Sequence, residues 1–121
     1  MKYLDFIEEC GRPLSDINPG SDEWAISLND VPSALKLLKD EQWIILGGQL
    51  LLTDSTDRLV YAVHAWSFDY HYLSWHYEPN RSDNREVSAP RSFEAAVAGI
   101  AEITRVAKIK GCDCYIVFVV R

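Results

Sequence analysis

Three histidines, His64, His71 and His76, crowd into thirteen positions beside Asp69 and Glu78. Imidazoles and carboxylates are the side chains that move protons near neutral pH and hold zinc, so chemistry is sought here first. Zinc sites take closely spaced ligands from ordered elements, as the HExxH helix does, and spacings of seven and five do not match that geometry. Histidines satisfied within the fold or at an interface are the better reading. A general acid–base pair of His71 or His76 with Glu78, as in a small hydrolase or nuclease, is the alternative. Few basic residues stand near that pair to hold a phosphate.

Nucleophilic and cofactor chemistry find less support. No GxSxG elbow and no papain-like cysteine context occurs, and Gly47-Gly48 lacks the GK[ST] continuation, the third glycine and the following helix that a phosphate or dinucleotide cradle needs. Cys112-Asp-Cys114 has no second CxxC or HxxxH to complete a metal site, so these cysteines read as ordinary residues at the start of a strand. With Cys10 they make an odd set of three thiols, which suits a reducing cytosol better than a disulfide framework. Asp5, Glu8 and Glu9 stand where an export signal would be basic and then apolar, which also points to a cytoplasmic protein. The longest apolar stretches, Trp43 to Leu52 and Tyr115 to Val120, fall short of the roughly 20 residues of a spanning helix. The expectation is therefore no enzyme, no cofactor, no metal and no membrane.

Binding is better supported. Trp66 to Glu78 reads WSFDYHYLSWHYE, rich in the rigid aromatics that anchor protein interfaces and interleaved with Asp69 and Glu78. Trp66 and Phe68 are expected in the core, and Tyr70 to Tyr77 at an interface. The net charge of -6 is uneven: residues 1–57 hold 11 acidic against 4 basic side chains, residues 58–121 hold 7 against 8. Such a balance argues against direct nucleic-acid binding, which requires clustered Lys and Arg, and suits a basic protein partner. Surplus carboxylates can also serve solubility alone.

The elements that would position these residues follow from periodicity. At 121 residues, 48% apolar and 25% charged, the chain has the size and composition of one globular domain over 1–121. Tyr3, Leu4, Phe6, Ile7 and Cys10 predict a short amphipathic helix stopped at Gly11 and Pro13. Gly11 to Gly20 should be a surface connection and Trp24 to Leu28 a short strand. A helix capped by Asn29 or Asp30, with Pro32 in its first turn, should bury Val31, Ala34, Leu35 and Leu38. Trp43 to Leu46 and Gln49 to Thr53 read as two β pieces parted by a bend, bulge or close approach at Gly47-Gly48. After an Asp54 to Asp57 turn, alternation predicts a central strand from Leu59 to Phe68, then a long loop from Tyr70 to Arg91. Ser92 should cap a helix over Phe93 to Lys110 that Gly111 ends, before a buried strand at Tyr115 to Val120. The order implies an α+β fold: two or three helices on one face of a small, mainly antiparallel sheet.

With VPSALKLLKD ahead of IILGGQLLL (Ile44 to Leu52) and VHAWSFD (Val63 to Asp69) after it, the chain resembles a bacterial immunity protein family of polymorphic toxin and contact-dependent inhibition systems, the fortieth in its series. The resemblance runs from about Trp24 to Arg121 and rests on Ala34, Leu35, Ile45, Leu46, Gly47, Gly48, Trp66 and Ser92. Gln49 stands where the family has an acidic residue, Ala65 replaces a polar residue before Trp66, and Tyr70 to Arg91 is longer than usual. The resemblance implies neutralisation of a cognate toxin by plugging its active site or an adjacent surface. Many such toxins are nucleases, whose basic clefts carboxylates could enter in place of phosphate. In that case Asp54, Asp57, Asp69 and Glu78 would supply charge, and Tyr70, Tyr72 and Trp75 the anchors.

Overall fold

A computed structural model describes all of residues 1–121. In chain order it contains α1 (Tyr3–Cys10), β1 (Arg12–Pro13), β2 (Trp24–Ser27), α2 (Val31–Asp40), β3 (Ile45–Thr53), β4 (Leu59–Tyr61), α3 (Ala62–Ala65), β5 (Trp75–His76), α4 (Arg85–Lys110) and β6 (Cys114–Val120), with 3-10 turns at Leu14–Asp16 and Phe68–Leu73. The sheet has the order β1-β2-β6-β3-β4, all pairs antiparallel, and β5 pairs with β3 next to β4. The α+β expectation holds.

Period-two alternation divides the sheet into two faces. Ile26, Leu50, Leu52, Ile116 and Phe118 point to one, and Tyr3 of α1, Val31, Leu35 and Leu38 of α2, and Ala96, Ile103 and Val106 of α4 close over them in one buried cluster. The other face is covered over only part of its area. There Ala25, Leu51, Leu59 and Val117 pack beneath Leu14, with Ile17, Tyr61 and Tyr115 around them.

Several expected elements came out differently. The run Gly11 to Gly20 is more than a surface connection, since Arg12–Pro13 pairs with Trp24–Ala25 and Leu14 is fully buried. Neither Asn29 nor Asp30 caps α2 through its side chain. The two β pieces around Gly47-Gly48 are one strand, and the bulge foreseen there is a register shift between Ile45 and Gly47. The predicted central strand Leu59 to Phe68 is real only through Tyr61 and pairs along the edge of β3. β6 is the central strand instead, flanked by β2 and β3. Alternation beyond Tyr61 is coincidental, because Ala62 to Ala65 turns helical and carries Ala62 into the core under the helices.

The long loop is also mostly ordered. After the 3-10 turn and β5, α4 begins at Arg85, capped by the Asn84 side chain, which accepts from the Val87 N–H at 3.1 Å. Pro90 lies inside this helix, where a proline normally removes a backbone bond and crowds the preceding turn. Ser92 is therefore no cap. It is buried, donates to the Ala89 carbonyl at 2.9 Å and accepts from the Ile45 N–H at 2.9 Å, tying α4 to the start of β3. Gly111 ends α4 in the left-handed region at φ 66°, as its position after the last periodic residue predicts.

Candidate functional site

Trp75 shows how the Gly pair organises this region. In β5 it lies opposite Gly48, so its indole points to the helix face, and any Cβ on Gly48 would collide with that ring. On the far side Gly99 of α4 comes so close that its own Cβ would stand 2.8 Å from the indole Cδ2. The ring is thus wedged between strand and helix and meets Phe118 edge-on at 6.1 Å. Its Nε1 is buried with no acceptor, so packing rather than hydrogen bonding holds it. Expected as a partner anchor, Trp75 is committed to the interior by this geometry.

The rest of the aromatic run lies along the outer edge beside α4. Phe68, expected in the core, is 73% exposed and stacks on the ring of His71 at 4.9 Å. The strand that would have buried it has already ended at Tyr61, and Phe68 opens a 3-10 turn instead. Trp66, half-buried, meets Tyr70 edge-on at 5.3 Å, and Lys110 from the end of α4 sits over both rings, 4.6 Å from the Tyr70 centroid. Tyr72 is 54% exposed. Asp69 and Glu78 are exposed and pair with no cation.

Asp54 and Asp57 have duties within the chain. The Asp54 carboxylate accepts from the Thr56 hydroxyl, the Thr56 N–H at 2.8 Å and the Arg58 N–H at 3.0 Å, which closes the β3–β4 turn. The Thr56 hydroxyl first, then these backbone donors, hold its carboxyl below the ordinary range. Asp57, at φ 61°, receives Arg12 on both its side chain and its carbonyl, while the Arg12 guanidinium lies 5.5 Å from the Tyr115 ring centroid. This turn and β5 sit at opposite ends of β3, seven residues or roughly 20 Å apart at about 3.3 Å per residue. The four expected carboxylates therefore do not form one patch.

The histidines are dispersed as well. His64 meets the Tyr61 ring edge-on at 5.8 Å, His71 Nδ1 lies 3.0 Å from the Phe68 carbonyl, and His76 stands exposed in β5. No three His, Cys, Asp or Glu side chains come close enough to share a metal ion. No helix is long and apolar enough to cross a membrane.

The second sheet face holds surface that residue-by-residue reading missed. Where the Leu14 cluster stops, Val119, Gly47 and His76 form a row across β6, β3 and β5, with Gln49 beside it; Gly47 is buried, while Val119, Gln49 and His76 are exposed. Val119 is 38% exposed. It borders two hollows: a dent of about 350 Å³ over Gly47, reaching Gln49 and His76, and a groove of about 320 Å³ between α1 and the ends of β2 and β6. Leu4, Ile7 and Trp24 give the groove apolar walls, and Asp22 and Glu23 line it too. Burial, then neighbouring Asp22, raises the Glu23 carboxyl above its ordinary value. Leu4, 53% exposed on the outer side of an acidic helix, was the one visible hint of this groove. Val119 gave none, because alternation in β6 groups it with buried Val117.

Comparison with known proteins adds one finding. Neither a curated protein nor a solved structure shows a significant match. The profile of the family described as Immunity protein 40 matches residues 13–120, a span running from β1 to the end of β6 and including both glycines that receive Trp75. A match over that much of the chain settles the assignment: this protein belongs to the Immunity protein 40 family, whose members neutralise toxins.

Proposed function

We propose that the chain forms a stoichiometric complex with its cognate toxin in the cytoplasm, and that the toxin is a basic nuclease whose substrate cleft this complex blocks. The observation that carries the electrostatic part is the surplus of unmatched carboxylates. Of 18 acidic side chains, only Asp40, Asp57, Asp83 and Glu102 lie within 4.0 Å of a cation. An inhibitor of that kind is steered to a basic cleft, where association can rise from about 10⁵–10⁶ to about 10⁸–10⁹ M⁻¹s⁻¹ at low salt. Asp69, Tyr70, Tyr72 and Glu78 are proposed contacts on the outer edge. Asp54 and Asp57, engaged in the β3–β4 turn, contribute through the field, and Trp75 acts by fixing β5 against α4.

The test is titration of the purified toxin domain's nuclease activity with this protein. Activity should vanish at one equivalent, and the protein alone should cleave neither RNA, DNA nor simple esters, with or without zinc. Turnover by the protein alone would favour the His71, His76 and Glu78 hydrolase. Reversing Asp54, Asp57, Asp69 and Glu78 together should slow association and flatten its salt dependence; unchanged values would remove the electrostatic part.

A further inference from the structure

We propose that the end of the sheet at exposed Val119, between the dent that reaches Gln49 and His76 and the groove beside α1 lined by Leu4, Asp22 and Glu23, is the surface on which the toxin docks. The occupant is a toxin segment with an apolar anchor and flanking Lys or Arg. This rests on the toxin-binding reading above and names the surface that carries it.

An antiparallel sheet with one solvated face normally alternates apolar and polar residues. β6 does not: it reads CYIVFVV, apolar toward both sides. Toward the helices that is explained by the main core, and at Val117 by the Leu14 cluster. At Val119 nothing in the chain explains it. Gly47, next in the row, has no side chain to cover its neighbours, so the sheet presents a valine beside a dent. Beyond the Ala25–Val117 pair, β2 no longer pairs with β6, and α1 leaves the apolar groove between them, with Leu4 exposed on its wall. An apolar centre with a polar rim is the anatomy of a protein interface.

Charge identifies the occupant. Asp22 and Glu23 line the groove, neither hollow is lined by a Lys or Arg, and neither carboxylate has a cation within 4.0 Å. A partly buried carboxylate without a cation is incompletely compensated, and a partner's Lys or Arg would complete it. Nucleic acid would be repelled. A second copy of this chain, packed through the same patch, would bring Asp22 and Glu23 near their own equivalents, which opposes an isologous dimer.

Three variants test the assignment against the catalytically inactivated toxin domain encoded by the adjacent gene: Val119→Arg, Gln49→Arg and the double Asp22→Lys, Glu23→Lys. Each should weaken binding at least 100-fold, with a thermal midpoint near the parent's. Gln49→Arg, at an exposed side chain, keeps the test valid if Val119→Arg folds poorly. Ile109→Ser, at a side chain 72% exposed on α4, should bind within a few-fold of the parent. If the parent inhibits the toxin and the face variants bind as tightly as it does, the face is wrong while the proposed function stands. A parent that fails to bind or inhibit the toxin overturns both. A parent dimer in sedimentation that Val119→Arg dissolves overturns the assignment in favour of a second copy.

Discussion

Ser92 Oγ accepts the Ile45 backbone N–H at 2.9 Å, so a hydroxyl in the first third of α4 supplies a hydrogen bond to the start of β3, where the register shifts at the bulge. Both groups are buried, and the same hydroxyl donates to the Ala89 carbonyl. Removing it strands a buried donor, which costs about 1–3 kcal/mol, more than the net worth of an ordinary hydrogen bond. Ser92→Ala should lower the thermal midpoint by several degrees and leave the secondary-structure content unchanged. A midpoint within a degree of the parent's would mean that the Ile45 N–H finds another acceptor.

A second prediction concerns the two glycines around Trp75. A methyl group on Gly48 or on Gly99 meets the indole, and overpacking of this kind costs about 1–3 kcal/mol. Gly48→Ala should therefore destabilise the protein and shift its tryptophan emission to the red as the ring is pushed toward water. Trp75→Leu, which empties part of the wedge, should make Gly48→Ala much less harmful. Additive effects in that double-mutant cycle would show that the methyl group clashes with something else.

These contacts show what could be read in advance and what could not. α1, α2, the Asp54 turn, the end of α4 and β6 were legible because each carries a local signal: an apolar stripe, turn residues, a Gly stop or a β-branched run. The Gly47-Gly48 pair announced a bulge or close approach, and both are present, but the partner Trp75 is 27 positions after Gly48 and nothing local links them. The stretch 62–91 was misread because its signals are ambiguous. Ala62 to Phe68 alternates as well as a strand does, and Pro90 looks like a helix boundary although Asn84 had already capped the helix. The site fared worse than the fold for the same reason. Carboxylates could be counted, but which of them closes a turn and which borders an empty groove depends on tertiary neighbours.

Two carboxylates should respond to pH in opposite senses. Asp54 has a lowered folded-state pKa because the Thr56 hydroxyl and the Thr56 and Arg58 N–H groups bond its charged form. Its contribution is fully present above the unfolded value near 3.8 and fades as pH falls through the lower folded value. Glu23 has a raised folded-state pKa, chiefly through burial, so its ionised form opposes folding at neutral pH, and that penalty is relieved as pH falls through the raised value toward 4.5. Glu23→Gln should therefore stabilise the free protein at pH 7 and lose that advantage near pH 4. Asp54→Asn should weaken it at pH 7, with a smaller effect at pH 3. Melting curves across that range decide it, and a Glu23→Gln variant less stable than the parent at pH 7 would contradict the desolvation account.

The last prediction concerns Lys110, whose Nζ lies over the rings of Trp66 and Tyr70. It is also the final residue of α4, where a cation offsets the negative end of the helix dipole. Two favourable terms thus act on one charge: a cation–π contact worth about 0.5–1 kcal/mol at an exposed site, and a dipole term of about 0.3–1 kcal/mol. Lys110→Ala should lose both. Lys110→Glu should lose more, since a carboxylate is repelled by the ring faces and by the carbonyl end of the helix. The loss should be concentrated in the Phe68–Leu73 turn, which the lysine pins to α4, so its amides should exchange faster with solvent while those of β6 do not. Uniform acceleration across β6 would mean that Lys110 supports the whole fold, and no change at Phe68–Leu73 would show that the packing of Leu73, buried in the main cluster, holds the turn without it.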